Sequence, residues 1–225
     1  MWVQPCGATD HDLVREAQAA NYATIELIDD GVGQILASLE KQGQRENTIV
    51  VFTADHGDMM GDHGLMLKGF MPFRGTYQVP FVIDAPGCAP GRSPALMGSL
   101  DLASTMLDLV ALPEYVGVQG TSLSPVLSDP SATVRDHVLV EDDYPAHLTR
   151  GRVPSKIRTV ITDDGGKYTR TSGGHGEMLF DLEADPLETE NLVSSDTGRR
   201  ARMIERLTDA LIEADDQARG APVSA

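Results

Sequence analysis

The sequence predicts a mixed α/β fold: part of a doubly wound, mostly parallel sheet, followed by a small α+β subdomain of antiparallel strands and a terminal helix. In the first half, helical apolar spacing alternates with two continuous β-rich runs, which is the rhythm of a doubly wound sheet. After Gly120, short β-rich segments are separated by glycines and aspartate pairs, which is typical of hairpins. An amphipathic pattern then predicts the last helix.

The elements of the first half follow from apolar spacing. From Asp12 to Gly43, apolar residues recur every three or four positions, which predicts an amphipathic helix that stops at Gly43. The runs "NTIVVFTADHG" and "VPFVIDAPG" predict strands buried on both faces, as in a parallel sheet. A loop rich in glycine and methionine joins them. The segment "SLDLASTMLDLVALP" predicts a second helix that ends before Pro113.

The second half begins with a Ser/Pro/Asp-rich connector, "SLSPVLSDPSATVRD". We therefore predict a boundary between Pro125 and Ala132, with one domain over residues 1–125 and another over 132–218. Strands are expected at "DHVLVED", "SKIRTVITDD", "KYTRT" and "EMLFDLE". The last helix is expected from Thr197 to Ala214, with these residues on its apolar face: Met203, Ile204, Leu207, Leu211 and Ile212.

Composition excludes some classes of function. The chain has 225 residues and a formal net charge of −16, so a broad surface for nucleic acid or anionic membranes is excluded by repulsion. A small anionic substrate would need a metal ion or a positively charged side chain at its binding site to offset this repulsion. The two cysteines, Cys6 and Cys88, form neither a disulfide framework nor a zinc spacing. Without a leader or a long apolar stretch, the chain as given is expected to be cytoplasmic.

The clearest chemical signal is Asp55-His56-Gly57, at the end of the first predicted strand. In open α/β sheets, ligands bind outside the carboxyl ends of the strands. Adjacent strand residues point to opposite faces, so a bend that Gly57 permits would bring both side chains to one ion. Oxygen and nitrogen ligands suit Ca²⁺, Mn²⁺ or Zn²⁺. Alternatively, Asp55 caps a turn and His56 is a solvated loop residue.

The whole stretch "TADHGDMMGDHGLMLKG" resembles the second half of the catalytic domain of sulfatases, within the alkaline phosphatase superfamily. The resemblance starts near Ala19 and covers nearly all of the chain after it. Later segments are similar to successive parts of the family: "VPFVIDAPG", "DLASTMLDLVALP", "GTSLSPVL" and the C-terminal signature "EMLFDLEADPLETENL".

This resemblance implies roles for four residues. Asp55 and His56 would bind a divalent metal ion, with Ca²⁺ favoured and Mn²⁺ or Zn²⁺ as alternatives. Lys68 would contact the sulfate or phosphate oxygens of the substrate, and its apolar neighbours in "LMLKGF" would lower the local dielectric constant and strengthen its pull. His63 would either donate to a leaving-group oxygen or order the loop.

The implied activity is metal-dependent hydrolysis of sulfate, phosphate or phosphonate esters. The family has its nucleophile and two further acidic ligands in the first half of the catalytic domain, so this chain corresponds to a C-terminal portion. A complementary N-terminal half, or a homo-oligomer, would cover the exposed edge of the sheet. Two alternatives stay open: a non-catalytic remnant or interaction subunit of the same fold, and a phosphomutase-like relative, against which the C-terminal signature argues.

The sequence gives weaker indications of a functional role for other polar residues. We expect Asp62 and Arg74 to scaffold the loop rather than touch substrate. Asp29 and Asp30 are adjacent on a predicted helix, where side chains diverge by about 100 degrees, so they form a solvated face.

Three features of the chain could be mistaken for sites. Asp142, Asp143 and His147 are expected on a loop, where they either shape a substrate pocket or are ordinary exposed residues. "SGGHGE" predicts a hairpin turn rather than a phosphate loop. "CAPGR", beginning at Cys88, fits the Cys-x-Pro-x-Arg pattern of formylglycine precursors. It follows the second strand and has Gly91 where the family usually has serine, so we predict a connecting turn.

Overall fold

A computed structural model describes residues 10–68, 71–144, 155–172 and 176–218. Its internal contacts divide the chain into two compact units, Met1–Cys88 and Ala89–Ala225. The predicted domain boundary between residues 125 and 132 stays a prediction, because this division reflects contacts alone. No helix in the described ranges has the length and apolarity that crossing a membrane requires.

The first unit begins with the long helix α1, His11–Lys41. The carboxylate of Asp10 caps it by accepting from the backbone N–H of Leu13 at 3.1 Å. The helix ends before Gly43, whose φ of +66° is the left-handed conformation that glycine adopts without strain. The predicted helix and its stop are therefore confirmed.

Two short strands follow, β1 at Val50–Thr53 and β2 at Phe81–Asp84. The mixed α/β class is confirmed, but the expectation of parallel neighbours is wrong for this pair, since β1 and β2 pair antiparallel with Val51 opposite Ile83. A continuous apolar run indicates burial and carries no information on the direction of the neighbouring strand, and the long connection can return the chain either way. Burial on both faces is also not observed within this unit, because Phe52 is 42% exposed.

The connection between β1 and β2 holds a 3-10 turn, Asp62–Gly64, and the one-turn helix α2, Arg74–Tyr77. In the second unit, helix α3 spans Asp101–Leu109 and confirms the predicted second helix. The predicted connector contains the short helix α4, Ser124–Ser128.

The fully buried carboxylate of Asp101 holds the start of α3 to the segments around it. It accepts from the backbone N–H groups of Gly98 and Thr121, each at 2.8 Å, and from the guanidinium of Arg135. A buried charge is stable only when it is paired and hydrogen-bonded in this way.

Four strands form an antiparallel sheet in the order β3-β4-β5-β6. Their bounds are β3 His137–Tyr144, β4 Ser155–Thr162, β5 Gly166–Thr171 and β6 Glu177–Asp181. Helix α5, Thr197–Ala218, follows them. This arrangement confirms the predicted hairpins and terminal helix, since each strand pairs with the one that follows it along the chain.

One face of α5 packs on the sheet. The core consists of buried side chains from three strands and from α5: Val160, Tyr168, Leu179, Met203, Leu207 and Ala210. Ile204 and Leu211 pack at its border. Ile212, predicted on the same face, is 57% exposed, because it lies a further 100 degrees around the helix from Leu211, which is already at the border of the core.

A buried ion pair joins Lys167 on β5 to Glu188. Lys167 precedes the core residue Tyr168 on the strand, so it projects from the opposite face of the sheet. The two side chains are 2% and 1% exposed. Burial lowers the pKa of the Lys167 ammonium, and the carboxylate of Glu188 opposes that shift. The backbone of Glu188 has a φ of +58°, so the chain adopts an unfavourable conformation where this carboxylate is placed.

Candidate metal and sulfate-binding site

Three of the four predicted site residues converge in the first unit. The Nε2 atom of His56 lies 3.3 Å from Oδ2 of Asp55 and also contacts Nζ of Lys68. Asp55 and His56 directly follow β1, and Lys68 returns to them from the far end of the loop. The structure thus brings together a carboxylate, an imidazole and an ammonium from two separate parts of the sequence.

The orientation of the His56 ring favours metal binding through Nε2. Its Nδ1 lies 2.8 Å from the carbonyl oxygen of Gly57. A carbonyl oxygen can only accept, so in the neutral ring Nδ1 is the donor and Nε2 is the acceptor, which here faces the ammonium of Lys68. Metal-binding histidines commonly use this arrangement, in which a backbone carbonyl fixes the tautomer. The donor set of one carboxylate and one such imidazole therefore fits a divalent ion.

Hydrogen bonds between the two ends of the loop from Asp58 to Leu67 determine where Lys68 lies. The carboxylate oxygen Oδ1 of Asp58 accepts from the N–H of Met60 at 2.9 Å and from the N–H of Leu67 at 3.0 Å. The N–H of Met59 donates to the carbonyl of Leu67 at 3.0 Å. Because these bonds tie the two ends of the loop together, the residue after Leu67 lies beside His56. The sequence reasoning missed Asp58, although an aspartate bonded to the N–H two residues later is a common turn signal.

Glycine at position 57 is required for a different reason from the one expected. Gly57 does not have a positive φ. Instead, a Cβ there would lie 2.0 Å from the carbonyl oxygen of Gly75. The N–H of Gly57 donates to the carbonyl of Thr76 at 2.9 Å. The segment after His56 is thus packed directly against α2, which fixes its position.

The ring of His63 stacks on Phe73, with centroids 3.7 Å apart and planes 12° apart. His63 also has a left-handed backbone, with a φ of +52°. This contact supports the loop-ordering role, while donation to a leaving group stays a prediction. Arg74 donates through Nε to Gln78, and the backbone of Asp62 bonds within the loop at Met59 and Leu65, which fits the scaffolding expected of both.

A cleft of about 230 Å³ lies between α1 and this loop. It is lined by Gln18, Asn21 and Tyr22 from α1 and by Asp58, Met59, Met60 and Asp62 from the loop. The amide of Gln18 donates to the carbonyl of Met60 at 2.8 Å and joins the two walls. Asp55, His56 and Lys68 are not among the residues that line it.

The cluster is open to solvent in this chain. The side chain of Asp55 is 85% exposed, and Lys68 is also exposed. The predicted low dielectric constant around Lys68 is therefore not provided by the residues that the structure describes. Within those ranges, no group of three or more His, Cys, Asp or Glu residues is placed to hold a metal ion. Asp55 and His56 alone would therefore give a metal ion an incomplete set of ligands.

The acidic residues with weaker sequence signals are not part of this cluster. Asp29 and Asp30 are exposed on α1, as expected. Asp142 and Asp143 lie within β3 rather than on a loop, because the alternating pattern continues through them, and His147 is outside the described residues. Asp143 accepts from Arg158 at 2.6 Å, which lowers the pKa of that carboxyl.

Of two further sequence patterns, one connects two strands and the other includes a turn. "SGGHGE" connects the antiparallel pair β5 and β6, although residues 173–175 lie outside the described ranges. In "CAPGR", the N–H of Cys88 donates to the carbonyl of Ala85 at 3.1 Å across Gly87, whose φ is +83°. The predicted turn at Cys88 is therefore confirmed.

The fold and the ordered motifs define a mixed α/β protein of the alkaline phosphatase superfamily. The family profile "Sulfatase" matches residues 3–112, and the profile "N-sulphoglucosamine sulphohydrolase, C-terminal" matches residues 61–217. The chain therefore belongs to the sulfatase family, whose named members are sulfuric ester hydrolases.

Individual relatives agree with this assignment. An arylsulfatase from Clostridium perfringens is 32% identical over 195 residues, which are 84% of this chain and 38% of that protein. The crystal structure of a putative sulfatase from Bacteroides thetaiotaomicron aligns with a TM-score of 0.83 at 27% identity, over 94% of this chain and 46% of that one. A phosphonate monoester hydrolase from Silicibacter pomeroyi aligns with a TM-score of 0.70 at 26% identity, over 88% of this chain and 40% of that one. The chain spans less than half the length of these proteins.

Proposed function

We propose that this chain forms the part of a sulfate ester hydrolase that contributes two metal ligands and a sulfate-binding lysine. The observation that carries the proposal is the convergence of Asp55 and Lys68 on Nε2 of His56. A small anionic ester fits this site better than a polyanion, because the net charge of −16 repels extended anions.

Asp55 and His56 would hold the divalent ion, through carboxylate oxygen and imidazole Nε2. We favour Ca²⁺ because carboxylates dominate its sites, and Mn²⁺ or Zn²⁺ are alternatives for a set that includes an imidazole. When bound, such an ion stabilises negative charge on the oxygens of the transferred group. The remaining ligands and the nucleophile would come from a complementary N-terminal segment of the fold. That segment, or a second copy of the chain, would cover the exposed edge of the sheet.

Lys68 supplies a fixed positive charge beside the metal ligands. In sulfate or phosphate ester cleavage, charge spreads over the peripheral oxygens of the transferred group, so positioning and electrostatics dominate catalysis. The bonds of Asp58 and Met59 to Leu67 hold the lysine near that position before substrate arrives. A covering segment would exclude water from the exposed ammonium and strengthen its attraction for an anion.

The test uses the chain fused to the N-terminal part of the Clostridium perfringens arylsulfatase, and measures turnover of an aryl sulfate. We expect Lys68→Ala to slow turnover by roughly 10²- to 10³-fold, as removal of one fixed donor from a developing charge does. Thermal stability should hardly change, because the side chain is exposed. Lys41→Ala, at the exposed end of α1, is the matched control. Wild-type turnover by the Lys68→Ala fusion would contradict the assignment.

Phosphonate ester hydrolysis is the second candidate, and the likeness to the Silicibacter pomeroyi hydrolase supports it. Sulfate and phosphonate monoesters both present anionic oxygens to the same lysine and metal. Comparing kcat/KM of the fusion on the two aryl esters separates these activities. A fusion that binds metal without turning over either ester would instead favour a non-catalytic module.

A further inference from the structure

The one-turn helix α2 packs against the segment that follows His56. A Cβ on Gly57 would lie 2.0 Å from the carbonyl oxygen of Gly75, and a Cβ on Gly75 would lie 3.3 Å from the carbonyl oxygen of Asp58. Backbone therefore meets backbone at this contact, which is the close approach that glycine permits. A shift of α2 would be transmitted directly to the chain beside the imidazole.

Thr76 is the residue of α2 that bonds to this segment. Its carbonyl oxygen accepts from the N–H of Gly57 at 2.9 Å. Thr76 is only 4% exposed, and its hydroxyl lies 2.8 Å from the carbonyl oxygen of Phe73 and 3.1 Å from that of Met71. The N–H of Thr76 also donates to the carbonyl of Phe73 at 3.0 Å. Because the preceding turn holds both donors of Thr76, the residue presents its own carbonyl to Gly57 in a fixed direction.

Groups on both sides of the His56 ring compete for the position of its proton. The carbonyl oxygen of Gly57, 2.8 Å from Nδ1, favours a proton on Nδ1. The carboxylate of Asp55, 3.3 Å from Nε2, favours a proton on Nε2 instead. The ammonium of Lys68 contacts Nε2 and opposes that second arrangement. The direction of the Gly57 carbonyl therefore helps to decide which nitrogen keeps a lone pair for a metal ion.

We propose that Thr76 is a positioning residue for the metal ligand His56 and acts through Gly57. Glycine rotates about φ and ψ more freely than other residues. The bond to Thr76 and the contact with Gly75 restrict that freedom, so the Gly57 carbonyl stays directed at Nδ1 and Nε2 stays available. The inference rests on the proposed function for the metal ion, whereas the position of the ring proton is testable in the chain without metal.

Nitrogen-15 NMR of the histidine side chains reads the proton position, because a ring nitrogen resonates differently with and without a proton. Spectra of the metal-free chain at about pH 9 observe the neutral ring, and a His56→Gln sample assigns its signals. Thr76→Val removes the hydroxyl and keeps the shape, and Thr76→Ser keeps the hydroxyl. The matched control is Thr105→Val, since Thr105 is also buried and its hydroxyl donates to the carbonyl of Asp101 at 2.6 Å.

We expect the proton of wild-type His56 on Nδ1. Thr76→Val should shift the tautomer ratio towards Nε2 by at least about twofold, because one neutral hydrogen bond corresponds to a factor of about 2–10 in an equilibrium. Thr76→Ser and Thr105→Val should leave the ratio unchanged. An unchanged ratio in Thr76→Val, or an equal shift in Thr105→Val, would overturn the proposal.

Two measurements decide the matter even if Thr76→Val does not fold. The Gly57 amide of the wild-type chain should exchange slowly with solvent, and exchange at the rate of an unprotected amide would overturn the proposal. Lys68→Ala should keep the proton on Nδ1. Its loss there would assign the tautomer to Lys68 and also overturn the proposal.

Metal affinity is measured separately in the arylsulfatase fusion. Thr76→Val should weaken Ca²⁺ binding by about tenfold, because groups that orient a metal-bound histidine contribute 10–100-fold, and Thr76→Ser should restore it. A fusion that binds no metal would count against the proposed function, while the spectra of the metal-free chain would still decide the role of Thr76.

Discussion

The buried ion pair of Lys167 and Glu188 should be the most sensitive single feature of the C-terminal unit. Glu188→Gln removes the negative charge and nearly preserves the shape, so the ammonium of Lys167 stays buried without the charge of Glu188. Breaking a buried pair on one side costs about 3–5 kcal/mol. The glutamine oxygen still accepts a hydrogen bond, so we expect a loss of about 3 kcal/mol in the free energy of unfolding at pH 7.

The loss should depend on pH in a defined direction. Burial already lowers the pKa of Lys167, and removing the carboxylate that opposes this shift lowers it further. The folded variant then binds fewer protons than the unfolded chain between that lowered pKa and the ordinary lysine value of about 10.4. Its stability therefore rises with pH across that interval, and the deficit relative to wild type is smaller at pH 9.5 than at pH 7.

Urea unfolding followed by far-UV circular dichroism at pH 7 and pH 9.5 measures both effects. The control is Asp143→Asn, which breaks ion pairs of a carboxylate that is 54% exposed and should cost less than about 1 kcal/mol. The double variant Lys167→Met with Glu188→Met should recover most of the loss, because both charges of this pair are removed together. A loss below about 1 kcal/mol in Glu188→Gln, or a double variant as unstable as the single one, would refute this reasoning.

Two further predictions concern the loop and the core. Asp58→Ala removes the acceptor of the Met60 and Leu67 amides, which should lower the free energy of unfolding by about 3 kcal/mol and speed hydrogen exchange at the Leu67 amide about 100-fold. Asp58→Asn keeps an acceptor oxygen and should show a smaller effect. Unchanged exchange in Asp58→Ala would contradict the loop assignment. Burial, with Glu177 beside it, raises the pKa of Tyr168 to about 12. Since the unfolded value is about 10, the stability that this phenol contributes is complete below pH 10 and lost as pH rises towards 12. Tyr168→Phe should remove that alkaline loss in urea midpoints, and an identical pH profile for both proteins would count against it.

The sequence predicted most of the secondary structure because the relevant signals are local. The α1 stop depends on Gly43 itself, and the hairpins of the C-terminal sheet depend on turn residues between alternating runs. The direction of β2 relative to β1 was not predictable in this way, since apolar content is the same for parallel and antiparallel neighbours.

Part of the site was predictable and part was not. Asp55, His56 and Lys68 stand in an ordered motif, so their convergence could be expected. The contact of His56 with the carbonyl of Gly57 depends on a side-chain torsion that residue types do not determine. The exclusion of a side chain at position 57 depends on Gly75, far along the sequence. Lys167 would be expected to face solvent, and only the tertiary placement of Glu188 shows that it is buried.

The most direct test of the central claim is calorimetric titration of Ca²⁺, with Mn²⁺ and Zn²⁺ in parallel, into the fusion with the arylsulfatase segment and into the chain alone. We expect tight binding by the fusion and weak binding by the chain alone, because its described residues provide no group of three or more metal ligands. Asp55→Ala with His56→Ala should weaken binding by the fusion by at least about 100-fold, because even indirect support of a ligand contributes 10–100-fold. Asp29→Ala with Asp30→Ala should leave binding unchanged. Tight binding that survives the Asp55 and His56 substitutions would contradict the claim that these residues hold the metal.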